Sequence, residues 1–270
     1  MYKQILPLLV LAIAVFAAVI AGCTGTAPAA DTGSVNTPPV AEKAVYIIGI
    51  DTDYPPYTFL DENGNPQGFD VECAKWIAND QGINIEFKVV PWEGIINELL
   101  NNNIDMIYSG MSITPERSAL VKFSDIYWVT NYGVAVRKNS LVTIDQIMNG
   151  SAKIGAPKGT TTAEWIQKEL IDSGKMPPEK LILYDTFPQA LEALEYARID
   201  AAIYDTPVVI ESIDGKYLDF IGTIESGEKF GIAVRKDDAQ LLSKLNAGLK
   251  NLKASPKWSE LVNKYDLARR

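Results

Sequence analysis

The 270-residue chain is predicted to form an α/β fold in two lobes, each a mainly parallel sheet flanked by helices, joined by two hinge strands. Three observations lead there. Short apolar runs alternate with helix-period segments from residue 45 to 267, and the short connections between them imply right-handed βαβ units. Ile104-Asp-Met-Ile-Tyr108 is echoed by Ile199-Asp-Ala-Ala-Ile-Tyr204, each preceded by an apolar-faced helix of similar length, so the lobes share one plan. Tyr132-Gly-Val-Ala-Val-Arg-Lys138 is nearly repeated by Phe230-Gly-Ile-Ala-Val-Arg-Lys236 at the edges of the second block. One copy would carry the chain into the second lobe and its twin would carry it back. That gives a first lobe of residues 44–132 plus 230–270 and a second of residues 133–229.

The elements follow in order. Residues 45–50 form a strand stopped by Asp51-Thr-Asp-Tyr-Pro-Pro-Tyr57, and Glu62-Asn-Gly-Asn-Pro66 is a turn signal. A helix over residues 71–81 would be capped by Asp70 and end at Gly82. Residues 83–90 are a strand; Trp92, Ile95, Ile96, Leu99 and Leu100 make one apolar helix face. Residues 104–108 are a buried strand. The loop Ser109-Gly-Met-Ser-Ile-Thr-Pro-Glu-Arg117 follows, where Thr114 then Pro115 is a helix-start signal. In the second lobe, residues 152–156, 181–184 and 199–204 are strands, and residues 162–171 and 187–196 are helices. Residues 237–253 and 257–267, broken at Ser255-Pro256, are two helices expected to pack back on the first lobe.

Composition narrows the chemistry. Hydrophobic content of 47% supports a good core, and a net charge of −9 argues against nucleic acid. The chain has no histidine, which removes His-based nucleophile systems and His-ligated metals. Residues 1–22 have a secretory signal layout, with Lys3 before an apolar run and small residues before Cys23. Ile20-Ala-Gly-Cys23 resembles a lipobox, which would make Cys23 the lipidated first residue; an uncleaved anchor is the other reading. Both put the remainder outside the cytoplasmic membrane. Residues 23–43 would be a flexible linker, spanning roughly 25 Å on average. Cys73 reads as a buried helix thiol.

In open α/β sheets ligands lie off the carboxyl ends of strands, and the candidates fall there. They are Asp51 and Tyr54 after the first strand, Ser109, Gly110, Ser112 and Arg117 after the third, Thr160 and Thr161 after the first strand of the second lobe, and Asp205 after the last. Arg117 offers a planar fork for a carboxylate, beside unpaired N–H groups at helix starts. Lys158-Gly-Thr-Thr161 is a second small-residue loop opening a helix, and it does not match a nucleotide P-loop. Taken singly, a solvated Arg117, a capping Asp205 and a core Trp92 are the ordinary readings. Together they specify a zwitterion: Arg117 for a carboxylate, Asp205 for an ammonium, and Tyr54 and Trp92 as flat walls. Such a ligand would cross-link the lobes and favour closure.

These motifs, in order, resemble the polar amino acid-binding family of extracytoplasmic solute-binding proteins, the bacterial family 3 type. They are Gly49-x-Asp-x-x-Tyr-Pro-Pro-Tyr57, Gly64-x-x-x-Gly68-Phe-Asp70, Trp92-Glu-Gly-Ile-Ile96, the loop from Ser109 to Arg117, Phe123-Ser-Asp-x-Tyr127, Lys158-Gly-Thr-Thr161 and Ile199-Asp-Ala-Ala-Ile-Tyr-Asp205. The resemblance implies a two-lobe, periplasmic-binding-protein-like (type II) fold. By it, Arg117 is the carboxylate clamp, Ser112 and Thr161 add donors, Asp205 and the Gly110 carbonyl take the α-ammonium, and Asp51 reads the side chain. It further implies a protein that holds an L-amino acid, polar or basic favoured, for the membrane permease of an ABC importer; a monomer without cofactor, metal or enzymatic activity is expected. Tyr108, where small aliphatics are common, would alter the floor of the slot. The alternative is an enzyme on the same scaffold, such as a cyclohexadienyl dehydratase-like protein, with a carboxylate, Lys or Tyr moving the proton.

Overall fold

The computed structural model describes residues 43–268, so the expected signal, Cys23 and nearly all of the linker lie outside the described residues. Strand β1 (Tyr46–Ile50) is followed by a hairpin of β2 (Phe59–Leu60) and β3 (Pro66–Gln67) around the predicted turn, then helix α1 (Phe69–Gln81) and β4 (Ile85–Val89). Helix α2 (Ile95–Leu100), β5 (Met106–Ile107), α3 (Pro115–Ser118) and β6 (Lys122–Phe123) complete the first block. Then come β7 (Trp128–Arg137), α4 (Ile144–Met148), β8 (Ile154–Pro157), α5 (Thr161–Ile166), β9 (Leu181–Tyr184), α6 (Phe187–Glu195), β10 (Ala201–Asp205), α7 (Thr206–Ser212) and β11 (Leu218–Phe230). β12 (Ala233–Val234), α8 (Ala239–Ala254) and α9 (Pro256–Lys264) close the chain. None of the described helices is long and apolar enough to cross a membrane.

The strands form two sheets of matching design. The first runs β4-β1-β5-β12-β6, with β4, β1 and β5 parallel and β12 antiparallel to β5. The second runs β11-β7-β10-β8-β9, with β9, β8 and β10 parallel and β7 antiparallel to β10. Each echo therefore has a structural counterpart. The repeated strands β7 and β12 each lie antiparallel beside the strand of the Ile-Asp motif, and their arginines brace the same places. Arg137 donates to the Leu194 and Ile199 carbonyls, and Arg235 to those of Leu99 and Ile104.

This corrects one expectation. The second copy, 230–236, does not itself cross between the sheets; it lies within the first sheet. The crossing is made just upstream, where the start of β7 pairs with the end of β11, Trp128 opposite Phe230 and Thr130 opposite Glu228. A second correction concerns Asp70. The N-cap of α1 is Gly68, at φ 121°, where a Cβ would fall 2.1 Å from the Tyr57 carbonyl oxygen. Asp70 is one residue into the helix and wholly buried. The helix expected over 162–171 is α5 followed by a π turn over Gln167–Ile171.

The C-terminal helices pack on α1: Gly248 of α8 sits so close to Ile77 that a Cβ would meet its Cγ2 at 2.6 Å. The main core runs through these helices and the first sheet. It continues into the second block through an aromatic chain: Tyr57 on Tyr54 (5.1 Å between ring centres), Tyr54 on Tyr204 (5.3 Å) and Tyr204 on Phe187 (5.1 Å).

Candidate functional site

Three parallel strands in each sheet point their carboxyl ends at one interface between the sheets, and the candidate side chains sit at the end of one of these strands, in the loop leaving it, or in the first turn of the helix that follows. From β5 comes the Ser109–Arg117 loop. Its tip, Gly110, has φ 57°, and a Cβ there would meet the Tyr54 ring at 2.2 Å. The Gly110 N–H donates to Asp70 Oδ2 (2.7 Å), and the Tyr127 hydroxyl donates to the same oxygen (2.8 Å). Asp70 therefore anchors the loop from behind. Burial raises its carboxyl to about 7, against the opposing pull of those two hydrogen bonds.

Thr114 caps α3 as expected, accepting from the Arg117 N–H at 3.1 Å. That cap turns the Arg117 side chain toward the other sheet. Its guanidinium donates to the carbonyls of Ser112 (3.0 Å) and Gly159 (3.1 Å) and lies 5.2 Å from the centre of the Trp92 ring. Arg117 is only 8% exposed, yet no carboxylate within 4 Å pairs with it among the described residues. Burial lowers its pKa, partly offset by Glu164, Glu228 and Asp205. Trp92 donates to the Gly159 carbonyl (3.0 Å), so its observed ring partner is Arg117.

Asp205 ends β10, and its side chain does not cap α7. It accepts from the Tyr54 hydroxyl at 2.5 Å through Oδ2, whereas Oδ1 is buried without a partner. Burial, then the nearby Glu228 carboxyl, pushes its pKa well above the usual carboxylate range. Ser112 and Thr161 bring their hydroxyls to 3.3 Å from opposite sheets. The structure thus brings Tyr54, Trp92, Gly110, Ser112, Arg117, Thr161 and Asp205 to one interface.

Two candidates have hydroxyls engaged elsewhere. The Ser109 hydroxyl accepts from the Asp51 N–H and lies 2.7 Å from the Thr58 hydroxyl, tying the first two loops together. Thr160 caps α5, accepting from the Ala163 N–H and donating to the Pro157 carbonyl. Asp51 lines an open cleft of about 490 Å³ with Asp53, Pro91, Trp92, Glu93 and Asp185. Burial raises its carboxyl to about 6. Tyr108 is packed in the core against Tyr127 at 5.0 Å.

Sequence reasoning missed Glu228, Tyr132 and Tyr204. The Tyr132 hydroxyl donates to Glu228 Oε1 at 2.8 Å, and Tyr204 stands edge-on to Tyr54. Both tyrosines fall inside the internal echoes, a usable signal. Glu228 lies in a polar run, Glu225-Ser-Gly-Glu-Lys229, with nothing local to mark it.

The model of the bacterial extracellular solute-binding proteins, family 3, matches residues 46–268. The chain belongs to that family. The ABC transporter arginine-binding protein 1 of Escherichia coli (strain K12) is 30% identical, over 83% of this chain and 91% of that protein. Among solved structures, an ancestral arginine-binding protein bound to arginine is 32% identical with a TM-score of 0.75, over 83% of this chain and 98% of that one. The ancestral amino acid-binding protein AncCDT-1, described as a precursor of cyclohexadienyl dehydratase, is 31% identical with a TM-score of 0.72, over 82% and 95%. The fold of this family member is that of the type II periplasmic binding proteins, and its relatives are amino acid-binding proteins of ABC transporters.

Proposed function

We propose that this family 3 protein is the extracytoplasmic receptor of an ABC-type importer, closing two lobes over an L-amino acid with a polar or basic side chain. One observation carries the reading. A buried arginine without a carboxylate partner among the described residues and a buried aspartate with an unpartnered oxygen approach the same interface from different sheets. Leaving either charge so placed is costly unless something answers it. An α-carboxylate on Arg117 and an α-ammonium on Asp205 answer both at once. In this reading Ser112 and Thr161 donate to the same carboxylate and the Gly110 carbonyl accepts from the ammonium; the 3.3 Å approach of the two hydroxyls supports it.

The side chain then projects into the neighbouring cleft, whose rim carries Asp51, Asp53, Glu93 and Asp185. Lys158 already pairs with Asp185 at 2.6 Å, and the three remaining carboxylates favour a cation or an amide there. In this reading the lobes are residues 44–132 plus 230–270 and residues 133–229, and a lipid on Cys23 holds the protein beside its permease. It acts as a monomer, with no cofactor and no reaction.

A thermal-shift screen of wild type and Arg117→Ala against the twenty amino acids tests the function. A ligand bound only by the folded state raises the melting temperature. One or a few amino acids, arginine-like or amide-bearing, should raise that of wild type. Arg117→Ala should lose roughly 2–5 kcal/mol of binding to the same compound, because one half of a desolvated charge pair is gone. A wild-type protein shifted by none of them, or a variant with unchanged affinity, would refute the assignment.

A further inference from the structure

The interface holds a second carboxylate beside Asp205. Glu228 projects from the end of β11, where the chain leaves the second sheet, and is 9% exposed. Tyr132, whose hydroxyl donates to its carboxyl, is the cross-strand partner of Asp205, so the two carboxyls share one neighbourhood. Each has one oxygen held by a tyrosine hydroxyl, Tyr54 on Asp205 Oδ2 and Tyr132 on Glu228 Oε1. The other oxygens, Asp205 Oδ1 and Glu228 Oε2, are buried with no hydrogen-bond partner. Burial, with Glu228 beside it, makes the ionised form of Asp205 costly without a cation, so Asp205 keeps a proton.

The groups bearing on the pair come from several elements. They are Tyr54 and Tyr57 from the loop after β1, Tyr204 from β10, Tyr132 from β7 and Arg117 from α3. Arg117 alone of these is cationic, and its donors are directed at carbonyl oxygens and the expected α-carboxylate.

We propose that Glu228 is a ligand-contacting residue and that Asp205, beside it, holds a proton, which the α-ammonium of the incoming amino acid displaces to solvent. The inference rests on the amino acid-binding reading above. An ammonium carries three N–H donors, and Asp205 Oδ1, Glu228 Oε2 and the Gly110 carbonyl supply three acceptors. A positive charge at that point favours the ionised form of Asp205, so the bound state holds the proton less tightly than the free state. Proton release on binding requires affinity to rise with pH.

The test is titration calorimetry with the amino acid that gives the largest thermal shift, between about pH 6 and pH 8, in phosphate and in Tris buffer. Wild type should release a fraction of a proton, seen as a heat that depends on the buffer, and should bind more tightly as pH rises. The same acid lacking its α-amino group should bind without release. Glu228→Gln should lower affinity about tenfold or more and abolish the release. If Glu228→Gln fails to fold, the comparison of the amino acid with its deamino analogue in wild type decides. No release in wild type, or equal release in Glu228→Gln, overturns the inference while leaving the binding function intact. If no amino acid binds at all, the functional reading fails and the inference with it.

Discussion

Arg117 and Asp205 carry the proposed function at the scale of the single residue. Each is an ordinary surface type placed where water cannot reach it, and such a charge persists only if its partners, or a ligand, restore what solvation gave. Asp70 has the same burial with a different purpose, holding the Gly110 N–H and the Tyr127 hydroxyl on one oxygen. Its carboxyl is raised from 3.8 to about 7, so the folded state binds the proton more tightly than the unfolded chain. The stability it contributes is full below the unfolded value and is lost as pH rises through the folded value. Asp70→Asn keeps an acceptor oxygen but cannot titrate. Urea denaturation should therefore show wild type losing stability relative to Asp70→Asn between about pH 4 and pH 7. Parallel curves for the two proteins would remove Asp70 as the titrating group.

At the scale of elements, the site depends on loops that leave parallel strands with little slack. Thr114 caps α3 and so sets the direction of Arg117; Thr160 does the same for the loop carrying Thr161. Gly110 is the tightest point, because its left-handed backbone and the Tyr54 ring leave no space for a methyl group. Gly110→Ala should cost about 1–3 kcal/mol of folding stability. It should also weaken ligand binding, since relief of the clash moves the Tyr54 hydroxyl off Asp205. Denaturant titration and calorimetry check both, and an unperturbed variant would mean that the Tyr54–Gly110 contact is not a constraint on the site.

For the whole molecule, the proposed function makes closure the variable to measure. Contacts that bridge the sheets, such as Tyr54 with Asp205, Trp92 with Gly159 and Ser112 with Thr161, would have to break on opening, together with the Tyr54–Tyr204 contact that joins the core of the two blocks. The paired crossing at Trp128–Thr130 and Glu228–Phe230 is short enough to bend. Small-angle scattering should show the radius of gyration falling when the amino acid is added, and an unchanged value would argue against hinge closure. Replacing Cys23 with Ala should release the protein from membranes on cell fractionation; continued retention would favour an uncleaved anchor.

The alternation of strand and helix, the ordered motifs and the internal echoes were legible because each is local: a period, a cap or a turn is written in neighbouring residues. For the same reason Thr114-Pro115 marked α3 and Asn63-Gly64 marked the hairpin. The burial of Asp70, the Trp92–Arg117 stack, the crossing at β7 and β11, and the meeting of Asp205 with Glu228 were not legible. Asp70 and Gly110 are forty positions apart, and Tyr54 and Asp205 are 151 apart. Sequence alone determined which loops end parallel strands and which charges they carry. Only the tertiary structure decided which of those charges lose their water together, because desolvation depends on what packs across the gap and not on what lies next along the chain.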